Sequence, residues 1–565
     1  MNRRILFPMT LAAAVGCVVG VERSSLTSTA HEQPGSNCRY GGRVMKSGVD
    51  VNGDGQLQDT EVTSTEYDCW TPVSLTRLDQ EKPGSNCRYG GRVERTGLDE
   101  NGDEQLQDTE VTRTEYDCDD FPSGWAAFAS DVWSGWVPQN FWAQASRVAL
   151  IRARSSGTRF KVTVSDNLGI GLGVNFGADS NPDPDAVYGA YEVRMNGASF
   201  NCLARRAAHY SAGRSDIYAP FATVCVTREL EPGIYLFDAW IQAAVGNTAA
   251  GNWQGQALLL VEELQTGNSS AQYGPWSVGQ PQHSFETADV SYQAVPERAV
   301  SYQKKGGAET LLKVTLADTL GVGIDGGTAF AAVRMARNGG PIEDTDCVLY
   351  QYEAKNMSAD LRDPFVATCV LPELPPDSYS FSVWLRSGSA EGGRAVLGSN
   401  RSYPLVLVEE LPAAGISFAK ASAMSDLVSG DAGIWQRATS SGNEYLSVAH
   451  HASSTTTNVR ITYSDTFRGA TCNGHAGLVA VRDDGHETSC RTGVNSYSEH
   501  MEAQRLQRPR PINLTCVLPV TPNSDHTFSI WSQVWHESGV TPDMACTNRL
   551  GQNRGQRLLL VEDLP

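Results

Sequence analysis

The sequence lacks the signatures from which an active site is usually read. It has no G-x-S-x-G elbow, no H-E-x-x-H, no phosphate-binding glycine loop and no dinucleotide fingerprint, so no motif points to triad, zincin, P-loop or Rossmann chemistry. None of its 13 cysteines stands in C-x-x-C spacing, which speaks against a zinc ribbon. After Val15 no apolar run approaches the roughly 18 residues needed to span a bilayer. No long stretch repeats its apolar residues with the 3.6 period of a helix. Basic residues also run short, 45 Lys and Arg against 64 Asp and Glu, for a net charge of −19. Residues 18–120 alone hold 21 acidic and 10 basic side chains. Such a surface repels nucleic acid and anionic membrane and attracts divalent cations.

What the chain does have is repetition. Residues 34–69 and 83–118 are identical at 29 of 36 positions. Each copy is framed by two cysteines, Cys38 and Cys69, then Cys87 and Cys118. Between them in the first copy, Asp50 to Glu61 follows the D-x-N-x-D-G-x5-E spacing of a calcium loop. Asp50, Asn52 and Asp54 would supply hard oxygens, Gly55 the sharp turn, Gln56 a carbonyl and Gln58 a water-mediated contact. Glu61 would close the shell bidentately, with Leu57 as a buried anchor. The second loop offers Asp99, Asn101, Asp103, Gln105 and Glu110 but puts Glu104 where glycine is expected. A non-glycine residue there costs roughly 1 kcal/mol, so calcium should bind this loop more weakly. The flanks, Arg39–Val49 and Val62–Cys69, are rich in glycine, threonine, valine and tyrosine and read as strands, not EF-hand helices.

The N-terminus, MNRRILFPMTLAAAVGC, has a charged start (Arg3, Arg4), an apolar run from Ile5 to Val15, and a small-residue site before Cys17. It resembles a bacterial lipoprotein signal, with Cys17 as the lipidated first residue of the mature chain. Ordinary signal cleavage and secretion is the alternative. Removing Cys17 leaves 12 cysteines, an even set that can all pair in an oxidising exterior. Val18 after the cysteine favours the outer membrane, and residues 18–33 read as a flexible tether.

From residue 121 a second repeat of about 150 residues appears three times: 121–264, 265–411 and 412–565. Its marks are VTVSDNLGIG (162–171), VTLADTLGVG (314–323) and ITYSDTFRGA (461–470). Next come Cys225, Cys369 and Cys516, each followed 15 residues later by Trp240, Trp384 or Trp531, and the endings LLLVEEL, LVLVEEL and LLLVEDL. Alternating short segments between Gly, Pro and Asn-Asp turns predict antiparallel strands, hence three tandem β-sandwiches in an all-β chain. Matching positions pair Cys202 with Cys225, Cys347 with Cys369 and Cys490 with Cys516. Cys472 and Cys546 are left for each other.

The cysteine-framed blocks, through their G-x-D-x-N-G-D-G-x-L-x-x-x-E-V core, resemble a tandem repeat of uncharacterised bacterial surface lipoproteins, which implies an extracytoplasmic setting. The large units are loosely similar to complement-head and tumour-necrosis-factor-like jelly rolls, and no functional residue is carried over from that likeness. It suggests packing about a pseudo-threefold axis, with a string of beads as the alternative.

Three further candidates remain. The carboxylate pairs Glu262-Glu263, Glu409-Glu410 and Glu562-Asp563 recur once per unit, which suits a structural role better than a catalytic dyad. Trp125, Trp133, Trp136 and Trp142 could form a sugar-stacking platform or pack in the core. Of 10 histidines, 7 lie in the third unit; His450 and His451 would point to opposite faces of a strand and, with His475 and His486, read as scattered surface residues. The expectation is a non-enzymatic outer-membrane or cell-surface lipoprotein. Calcium-stiffened spacers would present three sandwiches to a glycan or protein ligand, with a carbohydrate-binding or carbohydrate-active envelope protein as the alternative.

Overall fold

The computed structural model describes residues 24–564 apart from 72, 82–85, 88–90, 101–104, 119–124, 131–133, 135–136, 139, 172–185, 210–216, 246, 252–255, 265–275, 280–283, 324–326, 345–349, 355–360, 389–392, 399–402, 422–426, 430–434, 438–445, 469–474, 497–509, 537–547 and 551–556. Cys17, Cys347, Cys472, Cys546, Asn101, Asp103, Glu104, Trp133 and Trp136 therefore lie outside the described residues. Among the described residues every regular element is a strand except one 3-10 turn, Asp59–Glu61. The chain is all-β and divides into two compact units, 1–120 and 121–565.

The first unit contains two three-stranded antiparallel sheets of the same order. Ser25–Glu32, Gly42–Val49 and Val62–Cys69 form one; Ser74–Glu81, Gly91–Leu98 and Val111–Cys118 form the other. Disulfides Cys38–Cys69 and Cys87–Cys118 join the turn before each middle strand to the end of the third. The stretch read as a flexible tether, 18–33, is corrected here: Ser25–Glu32 pairs along its whole length with Gly42–Val49. Its side chains are almost all exposed, so no apolar alternation announces it. The backbone ladder alone fixes it.

The second unit contains three antiparallel sandwiches. In the first, the inner sheet orders strands Ile217–Val226, Arg159–Gly171, Ala257–Leu264 and Trp125–Ser130, and the outer sheet holds Trp142–Ala153, Gly233–Val245, Ala186–Met195 and Ala198–His209. The second repeats the inner order with Leu361–Leu371, Thr310–Val322, Leu405–Pro412 and Trp276–Gly279; the third with Arg510–Pro519, Asn458–Arg468, Arg557–Leu564 and Ile416–Ala421. Each sandwich closes its own apolar core. Outer strands alternate, as in Ser378–Ser387, where Tyr379, Phe381, Val383 and Leu385 are buried and the intervening residues are not. Inner strands do not alternate: Leu311 to Val322 is buried throughout. One face of such a strand meets its own core and the other meets the neighbouring sandwiches, so apolar side chains are selected on both.

The three sandwiches pack on one another through their inner sheets. Ala222, Val224, Val226 and Leu264 of the first meet Ala317, Val366, Leu405 and Leu407 of the second. Leu311 and Val370 of the second meet Leu558 and Leu560 of the third. The third returns to the first through Thr492 Oγ1 to Asn167 Oδ1 (3.3 Å), the Thr515 amide to Ser165 Oγ (3.1 Å) and the Gln256 amide to the Arg491 carbonyl (2.9 Å). Each contacts both others, so the units are not a string.

Disulfides Cys202–Cys225 and Cys490–Cys516 cross the first and third sandwiches, and Cys369 in the second is disulfide-bonded as well. Each core also buries an aspartate whose carboxylate accepts the next residue's amide: Asp166 from Asn167, Asp318 from Thr319 and Asp465 from Thr466. Arg147 and Arg298 neutralise the first two at 2.9 and 2.7 Å. Both follow a residue of positive φ, Ser146 (56°) and Glu297 (63°), at a register break. That bulge turns the arginine inward. In the third sandwich the same strand position is the apolar Leu446, and the guanidinium comes instead from Arg557 on another strand, 3.5 Å from Asp465. The charge is kept although its source moves, because a buried unpaired carboxylate is costly.

Candidate functional site

The recurring carboxylate pairs are split by the pleat. In each pair the first member faces the axis between the sandwiches and the second faces away. Lys161, Lys313 and Arg460 occupy equivalent inner-strand positions, and each stands opposite its own unit's carboxylate, Glu262, Glu409 or Glu562, on the adjacent strand. Each carboxylate also reaches the cation of another sandwich. Glu409 binds Lys161 at 2.8 Å, Glu562 binds Lys313 at 2.7 Å, and Glu262 binds Arg460. Within units, Arg460 holds Glu562 at 2.6 and 2.8 Å and Lys161 lies 3.3 Å from Glu262. Six charges thus alternate around a pseudo-threefold axis, every one of them largely buried.

Their electrostatics are unequal. Lys161 answers two carboxylates and, despite burial, is held above the usual lysine range. Lys313 shares Glu562 with Arg460; burial, reinforced by the neighbouring guanidinium, lowers it to about 8. Burial alone would raise Glu562, but Arg460 and Lys313 hold it far below the usual carboxylate range.

The second members have local partners. Glu410 accepts from Thr310 (2.7 Å), Tyr302 (2.8 Å) and the Gly306 amide (2.7 Å). Asp563 contacts His450 Nε2 at 2.9 Å, and His450 Nδ1 lies 3.1 Å from Ser417 Oγ. That Ser–His–Asp chain has the connectivity of a hydrolytic triad, but His450 is only 3 % exposed. It takes the position that Tyr302 holds against Glu410 in the second sandwich, judged by the pairs Val300–Phe381 and Val448–Phe528. Packing accounts for it, and His450 is not the surface residue expected. His451 does point the other way, exposed beside Asp525. Among the described residues, Asp483, Asp484 and His526 are the one trio of carboxylates and imidazoles close enough to share an ion. No motif in the sequence marks that trio.

The calcium-loop residues Asp50, Glu61, Asp99 and Glu110 are all buried. Gly55 takes positive φ, as the sharp turn expected there requires, and so does Gly53. Asp50 accepts the Gly53 and Gly55 amides (2.5 and 2.9 Å), and Glu61 accepts those of Val51, Asn52 and Gln58. Asn52 Oδ1 takes the Asp54 amide, and Asp54 takes the Gln56 amide and the Asn52 and Gln58 side chains. The loop is closed by its own hydrogen bonds. Glu110 caps Glu100 and Gln107 in the second loop as Glu61 does in the first.

On the solvent side of each outer sheet sits a feature that the sequence marked only as a repeat signature. Arg194 lies between Trp142 and Trp240, 5.2 and 4.3 Å from the ring centres. Arg334 lies between Tyr292 and Trp384 (4.9 and 4.7 Å), and Arg482 between Trp435 and Trp531 (5.7 and 4.4 Å). Each repeat tryptophan donates its indole N–H two residues back, to Asp238, Ser382 or Ser529, at 2.8–3.0 Å. All nine stacked side chains are half-buried. Trp142, expected in a platform, is one of them. The sequence signal was present in the Cys-to-Trp interval, but the stacking arginine comes from another strand.

With the geometry in hand, comparison with known proteins adds a family for the first unit. Residues 24–69 and 74–118 each match a domain of unknown function, DUF7151. The matched spans take in the strands Ser25–Glu32 and Ser74–Glu81, in agreement with the three-stranded repeat. No curated protein matches the chain. Among solved structures, PNGF-II is 8% identical, with a TM-score of 0.22, over 72% of this chain and 100% of its own. The tandem CBM22-1–CBM22-2 domain of Paenibacillus barcinonensis Xyn10C is 11% identical, with a TM-score of 0.13, over 50% and 93%. Likenesses this weak carry no functional argument.

Proposed function

We propose that this protein is a non-enzymatic binding protein of the cell surface. In this reading it is anchored through a lipid on Cys17 and presents three sandwiches as one head. The observation that carries the reading is the aromatic–guanidinium–aromatic stack repeated on all three solvent-facing sheets. Half-buried aromatic faces with polar edges suit ligands that are hydroxylated and apolar in turn, such as glycans or the surface of a partner protein. The recurring carboxylate pairs are engaged in the axial ring and in strand-end contacts. The two small repeats serve as spacers, and calcium bound at Asp50–Glu61, more weakly at Asp99–Glu110, would stiffen them.

Glycan-array and cell-binding measurements on the mature chain test this. Binding should fall stepwise as Trp240→Ala, Trp384→Ala and Trp531→Ala are combined. Binding that survives all three substitutions refutes the assignment of the stacks. A carbohydrate-active reading would need turnover of a bound glycan, which the same array detects as product.

A further inference from the structure

The three cations of the ring border a small space. On the pseudo-threefold axis is a small cavity lined by Lys161, Thr163 and Val224 of the first sandwich. Lys313, Thr315, Val366 and Thr368 line it from the second, and Arg460, Thr462 and Thr515 from the third. Its walls are the same positions taken three times, since Thr163, Thr315 and Thr462 pair across strands with Val224, Thr368 and Thr515. The space holds a single water-sized particle. The three carboxylates of the ring do not line it. The residues that line it are three cations, five threonines and two valines, with no carboxylate among them.

We propose that this axial cavity is a binding site for a small monovalent anion of the halide class, chloride in ordinary surroundings. The donor supply supports it. Among the described residues the Lys161 ammonium meets Glu409 and Glu262 and the Lys313 ammonium meets Glu562, so each retains an N–H. Thr163, Thr315 and Thr462 line the space two residues on from Lys161, Lys313 and Arg460, on the same face of each strand. The water-sized space favours a monatomic ion over sulfate or phosphate. Lys313, lowered to about 8 by burial and by Arg460, is the cation that an added negative charge would help most. The ion would bind all three sandwiches at once and so favour the assembled head over separated ones.

The test is urea unfolding of the full mature chain at constant ionic strength. Chloride replaces gluconate, an anion too large for the cavity. The unfolding midpoint should rise with the logarithm of chloride concentration above its dissociation constant, the unfolding equilibrium constant falling about tenfold once chloride reaches ten times that constant. The near-isosteric variant Thr163→Val/Thr315→Val/Thr462→Val should lose that response. No rise in the wild type, or an equal rise in the variant, overturns the proposal. Crystals of the wild type grown in bromide decide independently of the variant's folding. An anomalous peak on the axis, in contact with Lys161, Lys313 and Arg460, is expected. Density there without anomalous signal, a water only, overturns it.

Discussion

Replacing Glu562 by Gln should destabilise the three-sandwich head far more than replacing its neighbour Asp563 or its counterpart Glu263. Glu562 is 4 % exposed and accepts four hydrogen bonds, two from Lys313 and two from Arg460, at 2.6–2.8 Å. The amide keeps the volume but removes the charge. It leaves Lys313 with only Glu409 as an opposing carboxylate nearby, while Arg460 keeps Glu262. Breaking a buried pair while leaving its partner in place typically costs 3–5 kcal/mol, and here one carboxylate serves two cations. About 3–5 kcal/mol is therefore expected, read as a lowered urea midpoint by tryptophan fluorescence. Glu263, which touches Thr158 at 3.5 Å, should cost under about 1 kcal/mol as Gln. The contrast follows from the pleat alone, since the two positions belong to the same repeated dipeptide. Equal effects at the two positions, or a cost below about 1 kcal/mol for Glu562→Gln, would refute the ring as an energetic element.

Three other outcomes are expected. Lys313, near 8 when folded against 10.5 for an unperturbed lysine, binds its proton more weakly in the native state. This group should therefore add stability as pH rises from about 8 to 10.5, by about 3 kcal/mol in all. Urea unfolding across that range checks it, and Lys313→Met should flatten the slope. Arg557→Met should cost about 3–5 kcal/mol by stranding Asp465, and the double variant with Asp465→Asn should recover part of it in the same assay. For the small repeats, titration calorimetry on the full chain should show one stronger and one weaker calcium site, with Glu61→Gln removing the stronger; no heat at several millimolar calcium would mean that the hydrogen-bonded loops are complete as they stand.

The threefold repeat was legible because it rests on strand alternation, turn residues and cysteine spacing, all of which are local. The disulfides within the small repeats followed from their symmetry. The strand Ser25–Glu32 was not legible, because an exposed edge strand carries no apolar period and its pairing is with backbone. The axial ring lay in plain view as a charged residue inside each apolar strand, in FKVTV, LKVTL and VRITY. A lone lysine there reads as a surface residue until the opposite face of the strand is known to be covered. The stacks stayed hidden for a different reason. Their arginines and tryptophans lie on separate strands, and only sheet register brings Arg194 beside Asp238 and Trp240.

The direction of the ring has a consequence for how the molecule behaves when it is scarce. Each sandwich gives its carboxylate to one neighbour and takes one from the other, the head-to-tail arrangement that closes a cyclic trimer. Three separate chains joined this way would come apart on dilution. In one chain each seam forms at the effective concentration its linker sets, so the head stays whole at any abundance. The copies are also released from identity. One of them already uses arginine where the others use lysine, and draws its buried guanidinium from a different strand. Three outer faces on one head can then diverge separately, which no assembly of identical subunits allows.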